Sequence, residues 1–335
     1  MDNRLQTSSG NDDIKVSVVM TTYNHEKYIR QAIDSILMQN TSFGYEILIG
    51  DDASRDATPT ILIEYADRYP GFVNIFLRKK NLGASKNCYD LLSRAKGTYV
   101  AGIDGDDFWT DKNKLQMQAD FLDKHPQYSG CSHISKIVNE DGEKSKIKGL
   151  SWISEKKIFS LKDFKGIILP GHPSTIMRRN FFLDTEHDYS IIYKAHPMIC
   201  DRTIAMLSLS FGEFYKIDRC MGVYRLVLKK GGDNLTSKLY IDDEDYIYND
   251  FLYTDKLQKY ANETLHIDAG FDRHKQELFA TAVYHFIRHP SRKKINSIKK
   301  ILADADSCYH YFLRLPYYII SRIIKIMRHK FLWQC

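Results

Sequence analysis

The chain has 335 residues, which is enough for one large domain or for a domain with an appendage. Hydrophobic residues make up 43% and charged residues 27%, the proportions of a soluble globular protein. The net charge of +6 is unevenly placed, since the chain from Arg288 onward carries eleven Lys/Arg against two Asp. A basic tail on a near-neutral body suggests an anionic partner surface, either lipid or nucleic acid.

No targeting or membrane-spanning segment is predicted. Residues 1–14 are polar, lack the apolar core of a signal peptide and predict a disordered lead-in. No stretch contains 18 uncharged apolar residues, so we expect no transmembrane helix. The six cysteines form neither a C-x-x-C pair nor a zinc-ligand spacing, and we expect them to be reduced in the cytoplasm.

Residues 15–125 alternate short apolar runs with segments of helical periodicity. Apolar β-branched runs are typical of strands buried on both faces, and Thr58 before Pro59 predicts a helix N-cap. The alternation of strands and helices predicts a mostly parallel, doubly wound α/β sheet. The predicted strands are 16–20, 47–49, 73–77 and 98–103, and the predicted helices are 28–37, 61–69, 85–95 and 114–124.

After Pro126 the pattern changes to α+β, and from about Leu235 it is helical to the end. We expect one domain over residues 15–232, with halves at 15–125 and 126–232, followed by a helical region over 233–335. The other predicted elements are a loop at 136–148, strands at 175–177, 214–217 and 222–225, and a helix at 202–209.

Three polar clusters, at residues 21–24, 51–54 and 104–107, each follow a predicted strand. Ligands of open α/β sheets bind beyond the carboxyl ends of the strands, so we expect the three clusters to form one site. The sequence contains neither G-x-G-x-x-G nor G-x-x-x-x-G-K-[ST], which argues against a dinucleotide site and against a P-loop.

The cluster Asp104-Gly105-Asp106-Asp107 predicts a site for a divalent cation. Its carboxylates repel one another, and a hard cation removes that repulsion and can bridge to phosphate oxygens. Gly105 lets the backbone bend so that alternate carboxylates point to one side. The alternative is an acidic turn on the surface.

Asp51 and Asp52 also follow a strand, where carboxylates can accept hydrogen bonds from a base or a ribose. Asp56 and Thr58, slightly further on, are equally typical of helix capping. The sequence 21–24, Thr-Thr-Tyr-Asn, offers hydrogen-bonding groups without a glycine-rich loop.

The order of four motifs resembles that of family 2 glycosyltransferases with the GT-A fold. The resemblance covers about residues 15–125 and weakens to scattered positions up to about Lys230. It implies a Rossmann-like, mostly parallel twisted sheet with helices on both faces, here with a C-terminal helical extension. The motifs are Val-Ser-Val-Val-Met-Thr-Thr-Tyr-Asn at 16–24, Asp-Asp-Ala-Ser-Arg-Asp-Ala-Thr at 51–58, Asn-Leu-Gly-Ala-Ser-Lys-Asn at 81–87 and Asp-Gly-Asp-Asp at 104–107.

The resemblance also implies roles at the donor site. Asp104 and Asp106 match the D-x-D pair that holds Mg²⁺ or Mn²⁺ and the diphosphate. The remaining implied donor-site residues are Thr21 and Asp52 at the nucleobase, usually uracil, Tyr23, Asn24 and Asp51 beside them, Lys86 in a loop near the donor, and Gly105 and Asp107 near the sugar.

Asp201 matches the family's catalytic base, a carboxylate that opens a helix and is followed by a short strand ending in Tyr-Arg. It would take the proton from the acceptor hydroxyl in a single displacement with inversion. Cys200 stands where the family usually has Glu or Gly. The alternative for Asp201 is a helix N-cap, and one residue can serve both purposes.

Two further groups are weaker candidates. His172, in Gly-His-Pro-Ser-Thr at 171–175, predicts a lining of the acceptor pocket, although a single histidine is more often structural. Arg225, with the basic and glycine residues at 229–232, predicts a loop over the diphosphate, with a solvated loop of charges as the alternative.

The tail mixes basic residues with Ile, Leu, Phe, Tyr and Trp at 291–301 and 311–333. A basic, aromatic-rich amphipathic helix suits an anionic membrane surface, which predicts a cytoplasmic protein peripheral at the inner face of the cell membrane. The alternative is a helix packed on the catalytic domain with its Lys/Arg in water.

The sequence thus predicts a metal-dependent, inverting glycosyltransferase that uses a nucleotide-sugar, with a UDP-sugar favoured. The predicted acceptor is a glycan or lipid-linked glycan in bacterial surface-polysaccharide biosynthesis, such as O-antigen or capsule. The alternatives are an inactive nucleotide-sugar-binding or partner-binding homologue, and a sugar nucleotidyltransferase, which would need a glycine-rich basic loop after the first strand. Nucleic acid is not expected as a partner, because no nucleic-acid motif accompanies the tail.

Overall fold

The computed structural model describes residues 14–147, 149–228, 238 and 245–304. These residues form two compact units. The first comprises the described residues up to Phe164 and from Ile168 to Leu228, and the second comprises Lys165–Ile167 and those after Leu228. Most of the predicted lead-in, the basic loop at 229–232 and the tail at 311–333 lie outside the described residues.

A nine-stranded sheet organises the described part of the first unit. Its strands are β1 (Ile14–Thr22), β2 (Gly44–Asp51), β3 (Val73–Leu77), β4 (Tyr99–Asp104), β5 (Phe108–Trp109), β6 (Tyr128–Val138), β7 (Ile158–Phe159), β8 (Met177–Arg179) and β9 (Glu213–Arg225). They are ordered β3-β2-β1-β4-β8-β6-β9-β5, with β7 paired to β9. The first four in this order are parallel, whereas β8 runs antiparallel to β4 and β6.

The helices of the first unit cover both faces of this sheet. They are α1 (Ile29–Leu37), α2 (Thr58–Arg68), α3 (Ala84–Leu92), α4 (Lys114–Lys124), α5 (Leu161–Phe164), α6 (Ile191–Lys194) and α7 (Asp201–Phe211). Alternate residues of β1 point to opposite faces, and Val16, Val18 and Met20 share a core with α1, α2 and α4. Helix α3 lies on the other face, where the Asn87 Nδ2 atom donates to the Gly50 carbonyl at 2.7 Å.

The register of the parallel strands brings their ends together. Thr21 pairs with Gly50 on one side and with Asp104 on the other, and Thr22 pairs with Asp51. All three polar clusters therefore begin at one edge of the sheet. The α/β fold with a large central sheet and helices is confirmed.

Several predicted boundaries were wrong. Thr58 is the first residue of α2 rather than its N-cap, and the Asp56 carboxylate accepts its N–H at 3.0 Å. Residues 136–138, which were predicted as a loop, form the end of strand β6. Serine residues interrupt the apolar pattern of this strand, so its full length was not predicted. The strand predicted at 175–177 begins at Met177, after a 3₁₀ turn over Pro173–Thr175.

The two strands predicted at 214–217 and 222–225 are one strand, β9. It pairs with β6 over its whole length, and the register shifts at His133 and Ile134 absorb the exposed polar residues between the two apolar runs. Hydrogen bonding to a neighbouring strand thus continues where the local pattern is interrupted.

The second unit contains three helices in the described residues: α8 (Tyr246–Glu263), α9 (Phe271–Arg288) and α10 (Arg292–Asp304). Their shared core includes Phe251, Phe279 and Ile301. Within the described chain, none of the helices combines the length and apolar character needed to cross a bilayer.

Candidate functional site

The Asp104–Asp107 turn, here called the acid turn, is fixed to the end of β1. The Thr21 hydroxyl donates to Asp104 Oδ1 at 2.8 Å, and the Gly105 N–H donates to the Thr21 carbonyl at 3.0 Å. A Cβ atom on Gly105 would lie 2.6 Å from the Thr22 hydroxyl oxygen, so only glycine fits this contact without movement. The turn therefore has a defined position relative to β1.

The acid turn concentrates negative charge in a desolvated place. Burial raises the pKa of Asp104 to about 7, and repulsion from Asp106 and Asp201 adds to the rise. Asp106 is about one-fifth exposed, and its Oδ2 atom lies 3.9 Å from His25 Nε2. Positive charge placed beside the Asp104 and Asp106 carboxylates would relieve this repulsion.

Asp107 points away from this opening into the protein. It is 1% exposed and accepts the Arg225 N–H at 2.9 Å and the Ser174 hydroxyl. His172 Nδ1 lies 3.6 Å from Asp107 Oδ2. Burial and the neighbouring carboxylates raise the pKa of Asp107 well above its usual value. Its side chain ties the turn to β9 and to the 3₁₀ turn.

Arg225, predicted to face the diphosphate, uses its guanidinium to hold the protein together. Its Nε atom donates to the Asp106 carbonyl at 3.1 Å, and its Nη1 atom donates to the carbonyls of Asn139 and Glu140 at 3.2 and 3.0 Å. Nη2 donates to Gln31 Oε1 at 3.3 Å, and the guanidinium carbon lies 4.3 Å from the Tyr28 ring centre. The side chain joins four segments around the acid turn.

The two carboxylates at the end of β2 shape neighbouring loops. Asp51, which is buried, accepts the Ser54 N–H at 3.0 Å and the Ser54 hydroxyl. Asp52 accepts the N–H groups of Leu82 and Gly83 at 2.7 and 3.0 Å. Each carboxylate oxygen has a second lone pair, so these bonds position the acids without using up their capacity to accept.

The other predicted donor-site residues are distributed around these loops. Asn24 has a positive φ of 56°, and its Oδ1 atom accepts the Arg55 N–H at 2.9 Å, which joins the first and second clusters. Tyr23 is half-buried in the same segment. Lys86 is exposed on α3, and its Nζ atom lies 5.1 Å from the Tyr193 ring centre.

Asp201 is the first residue of α7 and keeps its carboxylate available. Its closest described polar contact is a long one from Cys200 Sγ at 4.0 Å, and the helix start has no side-chain capping hydrogen bond. Burial raises the pKa of Asp201 to about 6, while Arg202 opposes that rise. A carboxylate with this pKa is suited to accept a proton near neutral pH.

Tyr28 and Gln31, which contact Arg225, were not predicted as part of the site. Ser174 lies in the run 171–175 predicted to line the acceptor pocket, but its contact with Asp107 was not predicted. Their partners lie far away in the sequence, and local spacing carries no signal for such contacts.

Comparison with known proteins shows the family to which this chain belongs. A family model described as glycosyl transferase family 2 matches residues 17–184, half of the chain. The chain belongs to glycosyl transferase family 2. Its motifs at 51–58, 81–87 and 104–107 lie in the matched part, and the motif at 16–24 begins one residue before it.

Curated relatives of this family 2 member share only part of its length. The uncharacterized protein Rv1520 of Mycobacterium tuberculosis is 36% identical over 220 residues, 63% of this chain and 58% of that protein. The Escherichia coli protein WfgD, named UDP-Glc:alpha-D-GlcNAc-diphosphoundecaprenol beta-1,3-glucosyltransferase, is 34% identical over 114 residues, 34% of this chain and 43% of its own. The chain thus spans less than two thirds of these relatives.

The fold of the family 2 chain is shared with a solved structure. The crystal structure of S. aureus TarS 1-349 in complex with UDP-GlcNAc has a TM-score of 0.60 and 19% identity, covering 87% of this chain and 80% of that chain. The likeness supports the GT-A fold.

The residues of the acid turn fit a divalent cation whose remaining ligands are the phosphate oxygens of a substrate. Asp104 and Asp106 supply hard oxygen ligands that repel one another without a cation. Within the described residues no group of three or more His, Cys, Asp or Glu side chains has the arrangement of a complete metal site. Mg²⁺ is commonly held by one or two carboxylates together with substrate phosphates, so the donor set fits.

Proposed function

We propose that the chain is an inverting glycosyltransferase that moves a sugar from a nucleotide-sugar to a glycan acceptor. The observation that carries the proposal is the proximity of two kinds of carboxylate at one sheet edge. Hydrogen bonds hold the acid turn in a position suited to a cation and a diphosphate. Asp201 lies close enough to raise the pKa of Asp104, and its carboxylate is available to accept a proton.

Asp201 acts as the general base. The acceptor hydroxyl attacks the anomeric carbon, the bond to the leaving diphosphate breaks, and the hydroxyl proton passes to the Asp201 carboxylate. Attack from the face opposite the leaving group inverts the anomeric configuration. The position of Asp201 at the start of α7 gives it a fixed backbone, which keeps the base oriented.

Asp104 and Asp106 would hold Mn²⁺ or Mg²⁺. When bound, the cation neutralises negative charge that develops on the leaving diphosphate. Arg225 and Asp107 keep the two carboxylates in place through the acid turn. Thr21, Asp51 and Asp52, with their loops, contact the nucleobase and ribose.

A UDP-sugar is the favoured donor, and a lipid-linked glycan is the favoured acceptor. The name of WfgD gives UDP-glucose as its donor and a diphosphoundecaprenol-linked sugar as its acceptor. We assign the chain to bacterial surface-polysaccharide biosynthesis at the inner face of the membrane, and the lipid-linked acceptor in the name of WfgD supports this proposal. The exposed basic residues of α10, among them Arg292, Lys293 and Lys299, suit attachment to an anionic surface.

The test is thermal-shift binding of UDP, GDP and CDP, each with Mn²⁺ and with EDTA. We expect stabilisation by UDP that requires the metal and is lost in Asp106→Ala. Asp67→Ala, which removes an exposed carboxylate on α2, is the matched control and should behave as the wild type. A folded protein that none of the three nucleotides stabilises would contradict the donor site.

A further inference from the structure

An aromatic cluster lies beside the acid turn, on the side away from the nucleotide half. The His172 ring neighbours the rings of Trp152 and Tyr224, whose centres lie 5.9 Å and 3.8 Å away. His172 also approaches Asp107, with 3.6 Å between Nδ1 and Oδ2, which places the cluster at the site edge of the sheet. Trp152 and Tyr224 are half-buried, so part of each side chain is accessible.

Backbone hydrogen bonds fix the two segments that carry Trp152 and Tyr224. The Trp152 carbonyl accepts the Leu169 N–H at 2.8 Å, and the Ser154 N–H donates to the Leu169 carbonyl at 2.9 Å, which fixes the segment carrying Trp152. Tyr224 lies on β9, in register with Ile137 of β6. Rigid aromatic side chains held by a sheet and a bridged loop lose little conformational entropy when they bind a ligand.

The orientation of His172 is fixed as well. Its Nδ1 atom accepts the Ser174 N–H at 3.3 Å, so the ring carries its proton on Nε2. His172 is buried, with 6% of its surface exposed, and within the described chain no hydrogen bond joins Nε2 to another residue. The Nε2–H group is therefore the ring donor left for a ligand. Burial lowers the pKa of His172 to about 3, which keeps the ring neutral near pH 7.

The sheet order separates this cluster from the nucleotide. The predicted nucleobase contacts lie at the ends of β1 and β2, whereas Tyr224 and the 3₁₀ turn that follows His172 belong to the β9 and β8 side of β4. The acid turn follows β4 between these two groups. A ligand on the aromatic side would thus lie across β4 from the predicted nucleobase contacts.

We propose that Trp152, His172 and Tyr224 form the subsite for the acceptor sugar. The inference rests on the proposed function and extends it to the acceptor. The apolar C–H face of a pyranose packs on the accessible aromatic surface, and the His172 Nε2–H donates a hydrogen bond to a ring hydroxyl. The expected ligand class is a pyranoside, bound through one face and one hydroxyl.

The test uses saturation-transfer NMR on the full chain with methyl pyranosides of glucose, galactose, mannose and N-acetylglucosamine, in the presence of UDP and the diamagnetic cation Mg²⁺. We expect at least one pyranoside to bind the wild type and to bind Trp152→Ala roughly tenfold more weakly. Trp152→Phe should recover most of the affinity, because it restores an aromatic face. His172→Phe should keep the stacking and lose the hydrogen bond, giving an intermediate affinity.

Phe211→Ala, which truncates an exposed aromatic side chain at the end of α7, is the matched control and should bind as the wild type. Pyranoside binding that is absent from the wild type, or equal in Trp152→Ala, overturns the subsite. Stabilisation by UDP with Mg²⁺ is measured on the same samples and reports on the donor site separately. Loss of the UDP signal in the wild type would instead contradict the proposed function.

Discussion

Three carboxylates within four residues have different surroundings in the folded chain. Asp107 is closed in by Ser174 and by the Arg225 N–H, whereas Asp106 remains partly exposed. Asp104 is half-buried, and its Oδ1 atom accepts a hydrogen bond from the Thr21 hydroxyl. The motif alone predicted acidic residues at a strand end. Hydrogen-bond partners from distant segments of the chain determine the direction of each side chain.

Asp201→Asn tests the proposed base at the residue scale. The amide cannot take the acceptor proton, so we expect kcat to fall by about 10²–10⁴-fold with donor binding retained. In the wild type, kcat/KM should fall as the pH drops through about 6, because the carboxylate becomes protonated. A variant with wild-type kcat in a steady-state assay would rule out this role.

The same substitution has a stability consequence whose sign follows from the pKa. Burial raises the pKa of Asp201 in the folded chain to about 6, above its ordinary value of 3.8, so stability from this group is present at low pH and is lost as the pH rises through 6. Asp201→Asn should therefore raise the melting temperature in EDTA at pH 8 and leave it unchanged near pH 3.5. Thermal unfolding at both values checks the sign.

At the scale of elements, the end of β9 controls the acid turn through Arg225. Its side chain reaches the carbonyls of Asp106, Asn139 and Glu140 and the side chain of Gln31, which belong to the turn, the segment after β6, and α1. The planar guanidinium provides donors in several directions at once, which a lysine cannot reproduce.

Arg225→Lys should loosen the acid turn while leaving the fold intact. We expect the Mn²⁺ concentration needed for half-maximal UDP stabilisation to rise roughly tenfold, consistent with about 1.4 kcal/mol of lost positioning. Arg219→Lys, on the same strand and paired with Asp111 at the surface, is the control. Equal metal dependence in the two variants would argue against the positioning role.

Helix α4 carries a buried lysine beneath the sheet. Lys114 Nζ lies 3.7 Å from the Trp109 ring centre and has no hydrogen-bond partner in the described structure. Burial lowers the pKa of Lys114 to about 7. Because the folded state binds this proton less tightly than the unfolded chain, the free energy of unfolding should rise as the pH increases from 7 towards 10.

Lys114→Met should remove this pH dependence. We expect the variant to be more stable than the wild type at pH 6, on the order of 2 kcal/mol, and the difference to shrink by pH 10. Lys124→Met, at an exposed position of the same helix, should show neither effect. Chemical denaturation across pH 6–10 measures both variants, and a gain that stays constant with pH would contradict the assignment.

At the scale of the whole molecule, the charge distribution separates a near-neutral catalytic body from a basic end. Helix α10 buries Ile298 and Ile301 in the core of the second unit and exposes Arg292, Lys293 and Lys299. Its apolar face is thus already used in packing, so its exposed face offers charge rather than insertion. The segment at 311–333 lies outside the described residues, and its membrane role stays a prediction.

Deleting residues 311–335 tests that role. We expect co-sedimentation with vesicles containing phosphatidylglycerol to fall strongly, and the remaining binding, due to the exposed charges of α10, to disappear at high salt. Phosphatidylcholine vesicles serve as the uncharged control. Unchanged sedimentation of the truncated chain, with UDP stabilisation retained, would exclude the tail as the attachment point.

The sequence by itself determined the strand–helix alternation of residues 15–125 and the sites where polar clusters end strands. It did so because buried parallel strands require apolar runs, and because polar residues interrupt those runs at Thr21, Asp51 and Asp104, at or next to the strand ends. Only the tertiary structure decided the direction of Asp107, the inward role of Arg225 and the aromatic cluster around His172. Those features depend on residues about 50 to 200 positions apart, whose proximity is set by sheet order and packing rather than by any local pattern.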